Sequence, residues 1–199
     1  MVRAMANRMN SAGVLFAALS RAGLALLLAG CPSDRKASPS TASSAKITLP
    51  NVPDSLRAPA GETVTAKAAA QGVQIYECQK AADTVAWKLT APEAELTDDA
   101  GKPAGRHYAG PTWEAADGSK VVGEVKARVD SPSPDAVQWL LLKAKSNEGQ
   151  GTFGKVTSIQ RVNTVGGRPP VTGCDLKSLG TSVRIPYQAT YYFYTTNSN

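Results

Sequence analysis

Apolar and polar residues alternate along most of the chain from about Val52 onward, as they do in β-strands with one buried face. The clearest case is the C-terminal segment VRIPYQATYYFYTT. One of its faces carries Val183, Ile185, Tyr187, Ala189, Tyr191 and Phe193. Pro186 has no backbone N–H, so we expect the first part of this strand to lie at a sheet edge or a bulge.

The same alternation predicts further strands. Val85, Trp87 and Leu89 share one face of a short segment, and Val121, Val125 and Val129 share one face of a longer segment. Asp117-Gly118 is a strong turn signal, so residues 112–116 and 120–129 are predicted to form a hairpin. Strands are also predicted at residues 72–79, 136–145 and 154–164, the middle one in preference to a short helix.

Helix signals are poor, because no long stretch combines capping residues with a 3.6-residue period. Short strands separated by loops rich in Gly and Pro predict one all-β domain over residues 51–199. We expect a sandwich or a barrel of about seven to nine mostly antiparallel strands. The segment PEAELTDDAGK, which contains Glu93, Glu95, Asp98 and Asp99, is predicted to be a solvated acidic loop.

The N-terminus has the pattern of a signal peptide rather than a membrane-spanning helix. It is basic, lacks acidic residues and ends in LALLLAGC, but Arg21 interrupts the apolar run. An arginine near the middle of a spanning helix costs roughly 2.5–3.5 kcal/mol, whereas an apolar core of about 7–15 residues is enough for a signal peptide. Leu28, Ala29, Gly30 and Cys31 resemble the bacterial lipoprotein signal, so residues 1–30 are predicted to be removed and Cys31 to carry the lipid.

Residues 31–50 comprise the lipidated cysteine and a Ser/Ala/Pro-rich segment with almost nothing to bury, so we expect a disordered tether. The predicted location is the cell envelope, lipid-anchored and extracytoplasmic. Pro32 follows Cys31 where the inner-membrane retention signal has Asp, which favours the outer membrane. Removing the three leader arginines from 22 basic residues leaves 19 against 16 acidic ones. This balance predicts no nucleic-acid partner.

Two cysteines remain after lipidation, Cys78 and Cys174. Export places them in an oxidising compartment, where such a pair usually forms a disulfide. Their spacing is not that of a redox motif, so we predict a structural bond. The alternative is a pair of buried, unpaired thiols.

Candidate chemistry is sparse, and we predict no cofactor and no metal site. The segment GQGTFG matches the dinucleotide-binding pattern, but the residues after it favour a strand rather than the required helix. His107 is the only histidine. A hydrolase would use it with Glu114 or Asp117 as the carboxylate, but no nucleophile is evident. A structural histidine is favoured, so His107→Ala is expected to leave stability and binding nearly unchanged.

Aromatic residues offer candidate binding positions. Tyr192 and Tyr194 lie on the strand face opposite Tyr191 and Phe193. If that face is open to solvent, it forms an aromatic platform for a ligand; if it is covered, these tyrosines belong to the core. The candidate binding residues are His107, Tyr108, Trp113, Glu114, Tyr192 and Tyr194.

Several segments in order resemble the domain of unknown function 3455 family. They are GVQIYEC, HYAGPTWEAADGSKVVG, PSPDAVQWLLLKA, IQRVNTVGG with GC after it, and YYFY. The resemblance covers about residues 52–194. It implies one β-rich extracytoplasmic domain and brings no established activity or catalytic residues.

The expected function is a non-catalytic envelope lipoprotein. Its β domain is expected to bind a small molecule, a glycan or an envelope protein. The alternatives are an extracytoplasmic hydrolase that uses His107, and a purely structural component of the envelope.

Overall fold

The computed structural model describes residues 47–196. The predicted signal peptide, Cys31 and most of the predicted tether lie outside these residues and remain predictions. The described part contains one short 3-10 helix (Asp54–Leu56) and eight strands. The strands are β1 (Glu62–Ala81), β2 (Thr84–Thr97), β3 (Pro103–Tyr108), β4 (Thr112–Ala115), β5 (Lys120–Val129), β6 (Trp139–Glu148), β7 (Ser158–Gly166) and β8 (Ser182–Thr196).

The eight strands form one antiparallel sheet that closes on itself. Each strand pairs with its neighbours in sequence, and β8 returns to pair with β1 to complete a barrel. The prediction of an all-β domain with seven to nine antiparallel strands is confirmed, and the barrel is the alternative that occurs. Closure leaves no free sheet edge between the first and last strands.

Close packing between the paired strands β1 and β2 requires a glycine at position 72. A Cβ atom added to Gly72 of β1 would lie 2.0 Å from the carbonyl oxygen of Glu93 on β2. Only a residue without a side chain fits at this position of β1.

Most predicted strands are present, including the hairpin formed by β4 and β5 around Asp117 and Gly118. The pairing of β7 with β8 stops at Tyr187, so Pro186 lies just beyond it, at a local edge as predicted. The acidic-loop prediction is wrong at its start, because Glu93 and Glu95 lie within β2. Their neighbours Ala94 and Leu96 are buried, so the segment has a period of two that its acidic character obscured.

The interior of the barrel is filled at one end by aromatic side chains. Tyr191 and Phe193 of β8 are fully buried, and Trp113 of β4 lies edge-on to both of them. Phe153 packs against Phe193 with a centroid separation of 4.2 Å. Phe153 belongs to the Gly149–Gly154 segment that matches the dinucleotide pattern, and it helps to close this end of the barrel.

A second apolar cluster lies on the outside of β7 and β8. Tyr192, Tyr194 and Val162 are buried there, and Ile47, Val52 and Ala58 of the preceding segment pack against them. The side-chain amide of Gln160 donates to the carbonyl oxygen of Leu56, and the Tyr194 hydroxyl donates to Gln160. This face is therefore covered by the chain itself, and the tyrosines do not form an open platform.

Cys78 and Cys174 form a disulfide, as predicted. The bond connects the end of β1 to the long loop between β7 and β8. Two backbone hydrogen bonds lie beside it, from Cys78 to Thr181 and from Gly180 to Cys78. The start of β8 and the β7–β8 loop are therefore held against β1.

Candidate ligand-binding cavity

A cavity of about 920 Å³ occupies the other end of the barrel. It lies where β1, β3, β5 and β7 end and where the strands that follow them begin. Its volume is in the range of small-molecule sites, roughly 300–1,000 Å³. The lining residues come from all eight strands and from three of the loops at this end.

The loops at this end are anchored by hydrogen bonds to the barrel. The Tyr76 hydroxyl donates to the carbonyl oxygen of Gly167 at 2.6 Å, and Arg168 Nε donates to that of Ala136 at 2.9 Å. Trp87 Nε1 donates to the carbonyl oxygen of Thr172 at 3.0 Å. These bonds and the disulfide hold the β7–β8 loop beside the cavity. Val171 of that loop is fully exposed and also lines the cavity, so the cavity reaches the surface.

One wall of the cavity is apolar. Val125 of β5 and Leu140 and Leu142 of β6 lie along it. Their positions follow from the alternation along each strand, since only every second residue faces the interior.

A β-bulge near the open end of the cavity changes which side chains of β5 face the interior. The β5–β6 register shifts between Val125 and Ala127. Beyond the shift, Arg128 rather than Val129 lines the cavity. The predicted shared face of Val121, Val125 and Val129 therefore ends at Val125, because a bulge places an extra residue in one strand.

Several buried polar atoms lie around the inner end of the cavity. Within the described residues, no hydrogen bond of normal geometry is made by the amide of Gln74, Trp113 Nε1 or the Tyr191 hydroxyl. All three side chains line the cavity and are almost fully buried. Burial of such groups without a partner costs about 1–3 kcal/mol each. They are therefore available to a ligand or to water.

Tyr187 extends this polar group behind the cavity. Burial raises its pKa far above the usual range, and neighbouring Tyr191 raises it further. Gln74 lowers the pKa of Tyr187. The three side chains are thus close enough to influence one another, although their contacts fall outside normal hydrogen-bond geometry. Both tyrosines are un-ionised at neutral pH.

His107 lies in the wall of the cavity as a neutral imidazole. Its ring stacks on Trp113 with a centroid separation of 4.3 Å and an interplanar angle of 11°. Nδ1 lies 2.8 Å from the carbonyl oxygen of Thr112, which can only accept, so Nδ1 carries the proton. Burial lowers the pKa of His107 to about 3. The neutral ring therefore leaves Nε2 as a hydrogen-bond acceptor.

This burial changes the expectation for a truncation. His107 is 3% exposed, so His107→Ala would leave a cavity beneath Trp113. With the ring buried, we expect a loss of about 2–4 kcal/mol in the free energy of unfolding, by analogy with other large-to-small core substitutions. The expectation of nearly unchanged stability rested on a half-buried ring.

Arg161 brings a positive charge into the barrel. It lies on β7 opposite Leu140 of β6 and Tyr191 of β8, both of which line the cavity, and it lines the cavity itself. Its Nε and Nη2 atoms donate to the carbonyl oxygen of Gln138 at 3.1 and 2.8 Å. Among residues 47–196, no carboxylate forms an ion pair with it.

Glu114 lies among different partners, on the outer face of the barrel. It accepts hydrogen bonds from Arg106 at 3.1 Å and from the Tyr108 hydroxyl at 2.8 Å. The bond from Tyr108, together with Arg106, lowers the pKa of Glu114. The hydrogen bonds of this carboxylate therefore go to an outer cluster, whereas the side chain of His107 packs inside.

Asp117 lies in the β4–β5 turn at the closed end. Its carboxylate accepts hydrogen bonds from the backbone N–H and hydroxyl groups of Ser119 and Thr152. These bonds, the one from the Ser119 hydroxyl foremost, lower the pKa of Asp117 far below its usual range. Across residues 47–196, no hydrogen bond joins His107 to Glu114 or Asp117. The arrangement that a His–carboxylate hydrolase requires is therefore not assembled in this structure.

The six candidate binding residues fall into three groups, although His107, Tyr108 and Glu114 also line one smaller pocket together. His107 and Trp113 line the cavity, Tyr108 and Glu114 lie in the outer cluster, and the Tyr192 and Tyr194 side chains pack under the N-terminal segment. Sequence reasoning missed Gln74, Arg161 and Arg168. A signal for the first two is present, because each lies two residues from an apolar residue that faces inward: Gln74 precedes Tyr76, and Arg161 follows Ile159.

The described residues contain neither a cluster suited to a metal ion nor a helix suited to a membrane span. Within residues 47–196, no group of three or more His, Cys, Asp or Glu side chains is placed to hold a metal ion. The same stretch of chain contains no helix with the length and apolar character needed to cross a membrane.

Comparison with known proteins identifies one family. No curated protein and no solved structure matches the chain significantly. The sequence model of the family described as "Protein of unknown function (DUF3455)" matches residues 59–195, a range that includes all eight strands almost completely. By this match over well over half of its length, the chain belongs to the DUF3455 family.

Proposed function

We propose that this protein is a membrane-anchored extracytoplasmic lipoprotein whose barrel binds a small molecule without catalysing its conversion. The observation that carries the proposal is the cavity of about 920 Å³, in which an apolar wall faces buried polar groups. Ligand sites commonly combine apolar walls with a few polar groups that orient the ligand.

Other features of the barrel support binding of a small molecule over binding of a glycan or protein on an open aromatic surface. The tyrosines that would form such a surface, Tyr192 and Tyr194, are 6% and 4% exposed. The neutral, hydrogen-bonded His107 supports a non-catalytic role, since no carboxylate is joined to it in the described chain. The Cys78–Cys174 bond supports an oxidising, extracytoplasmic location.

The test is native mass spectrometry of the protein purified from its own membrane. We expect a non-covalent small-molecule adduct that is lost on denaturation. Leu140→Trp, which enlarges a cavity-lining side chain, should abolish the adduct. The matched control is Lys145→Trp, on the exposed face of the same strand, which should retain it.

Two results would contradict the proposal. One is the absence of any adduct from wild-type protein, which would favour a structural role in the envelope. The other is an equal amount of adduct in the Leu140 and Lys145 variants when both unfold cooperatively, because the molecule would then bind elsewhere.

A further inference from the structure

The chemical class of the ligand follows from the charges inside the cavity, starting with Arg161. The guanidinium lies in the barrel interior and is only partly exposed to solvent. A buried cation is costly unless it is paired and hydrogen-bonded. Two of its five N–H groups donate to the carbonyl oxygen of Gln138. That carbonyl is neutral, so within residues 47–196 the charge itself has no partner of opposite sign.

The other charged residues of the cavity do not neutralise Arg161. Asp130 is the carboxylate that lines the cavity, and it lies 3.6 Å from Arg168 in an ion pair. Asp130 also accepts a hydrogen bond from Gln138 at 3.0 Å. Arg128 adds a further cation at the exposed mouth. Within the part of the chain that the structure describes, the cavity therefore carries one uncompensated charge in its interior and one at its entrance, both positive.

Uncharged donors accompany the arginine. Trp113 Nε1, the Tyr191 hydroxyl and the amide of Gln74 lack a hydrogen bond of normal geometry and line the same cavity. Arg161 lies close enough to lower the pKa of Tyr191 against the effect of burial. A guanidinium accompanied by N–H and O–H donors is suited to an oxyanion, which accepts several hydrogen bonds at once.

The remainder of the lining excludes a fully polar ligand. The apolar wall of the cavity consists of Val125, Val137, Leu140 and Leu142. Further apolar surface near the mouth comes from Pro169, Pro170 and Val171. Burial of apolar ligand surface against them contributes roughly 25 cal/mol per Å². A ligand that satisfies both regions has an apolar body and an anionic end.

We propose that the cavity binds a small amphipathic monocarboxylic acid, with its carboxylate beside Arg161 and its apolar body along β5 and β6. This inference rests on the proposed function, since it names the ligand class of the same cavity. A single negative charge fits better than a phosphate dianion, because one interior cation is uncompensated and Arg128 at the mouth is exposed to solvent.

The test compares two probes of nearly equal shape, 2-naphthoate and its neutral amide, 2-naphthamide. The full mature protein is reconstituted in phosphatidylcholine nanodiscs, and the dissociation constants are measured by calorimetry at pH 7. We expect the carboxylate to bind at least about tenfold more tightly, since hydrogen bonds to charged groups are the stronger ones. Empty nanodiscs provide the background for both probes.

Arginine variants assign the preference to one residue. Arg161→Met should reduce the preference for the carboxylate to less than about threefold while the amide still binds. Arg161→Lys retains the charge and should keep part of the preference. Arg106→Met, on the outer face, removes an equal charge outside the cavity and should leave the preference unchanged. Unfolding curves identify any variant that fails to fold, in which case Arg161→Lys and Arg161→Gln carry the test.

The outcomes separate this inference from the proposed function. Equal affinity of the wild-type protein for both probes, or an unchanged preference in Arg161→Met, would overturn the proposal that the ligand is a carboxylic acid. Either result would leave the proposal of binding in the cavity intact. If neither probe binds but the native protein carries an adduct of another class, the acid is again excluded. Failure of both probes together with the absence of any adduct would overturn the proposed function as well.

Discussion

At the residue scale, the interior of the barrel combines buried aromatic side chains with polar side chains around the cavity. The alternation of β8 identified Tyr187, Tyr191 and Phe193 as inward-facing, and all three are buried. The inward positions of Gln74 and Arg161 went unrecognised, because period-two reasoning assigns apolar residues to the interior and treats polar ones as solvated. A cavity reverses that assignment locally, and its presence depends on strand pairings far apart in sequence.

His107 gives a prediction for pH dependence. Its pKa is lowered to about 3 in the folded protein from about 6.5 in the unfolded chain. The unfolded chain therefore binds the extra proton, and folded stability falls as the pH drops below 6.5. Each pH unit between 6.5 and 3 costs up to about 1.4 kcal/mol.

The measurement is urea unfolding of wild type and His107→Phe at pH 7 and pH 4.5. Phenylalanine retains a ring against Trp113 but does not titrate, so the variant should lose less stability than wild type on acidification. Both proteins carry the same carboxylates, and His107 is the only histidine, so the difference reports this residue. Parallel pH profiles would show that the histidine is not neutral and buried.

At the scale of elements, the closed end of the barrel depends on one carboxylate. Asp117 accepts four hydrogen bonds, two from Ser119 within the β4–β5 turn and two from Thr152, which join that turn to the β6–β7 loop. The Ser119 hydroxyl also accepts a hydrogen bond from the backbone of Phe153, whose ring fills that end.

We expect Asp117→Asn to lower the free energy of unfolding by about 1–2 kcal/mol at pH 7, because an amide cannot accept all four bonds. Since the pKa of Asp117 is lowered in the folded state, its contribution is present above pH 4 and is lost as the pH falls below that value. Asp83→Asn, in the exposed β1–β2 turn, is the control. Equal unfolding midpoints for the two variants would contradict the role of Asp117.

Removal of the disulfide is expected to affect the end of the barrel that holds the cavity. Cys78→Ala/Cys174→Ala releases the β7–β8 loop, so amide hydrogens of residues 168–181 should exchange faster while those of β4 and β5 at the closed end change little. Closing a loop of this length contributes at most about 4–5 kcal/mol in chain-entropy models. The hydrogen bond from Trp87 to Thr172 remains in the variant and still holds part of the loop in the folded state. Unchanged exchange in the β7–β8 loop would show that other contacts suffice to position it.

Local sequence signals predict most of the strands but few of the pairings between strands. Asp117-Gly118 identified the β4–β5 hairpin, and the alternation of apolar residues identified β8 and half of β2. Strand β3 was missed, because Pro103 and Gly105 weaken its pattern. It forms by pairing with β2 and β4 rather than through its own propensity. The barrel itself follows from the pairing of β1 with β8, which no local pattern specifies.

At the scale of the whole molecule, the proposed function joins a binding cavity to a lipid anchor. The cavity is seen within residues 47–196, whereas the anchor is a prediction from the sequence before them. A chain of about 18 residues reaches at most ~60 Å when extended. A barrel on such a tether would stay near the membrane surface, where amphipathic molecules concentrate, so the two proposals are consistent with each other.

The anchor is tested by the mass of the mature protein. We expect a polypeptide that begins at Cys31 and is heavier than its sequence by several acyl chains, because one chain binds membranes only marginally and two or more anchor stably. Reduction after denaturation should add two hydrogens, from Cys78 and Cys174. A mature protein without acyl chains, or one that begins elsewhere, would remove the anchor from the proposed function. The cavity would then have to be explained as that of a freely diffusing carrier, and the location of its ligand would no longer follow from the membrane.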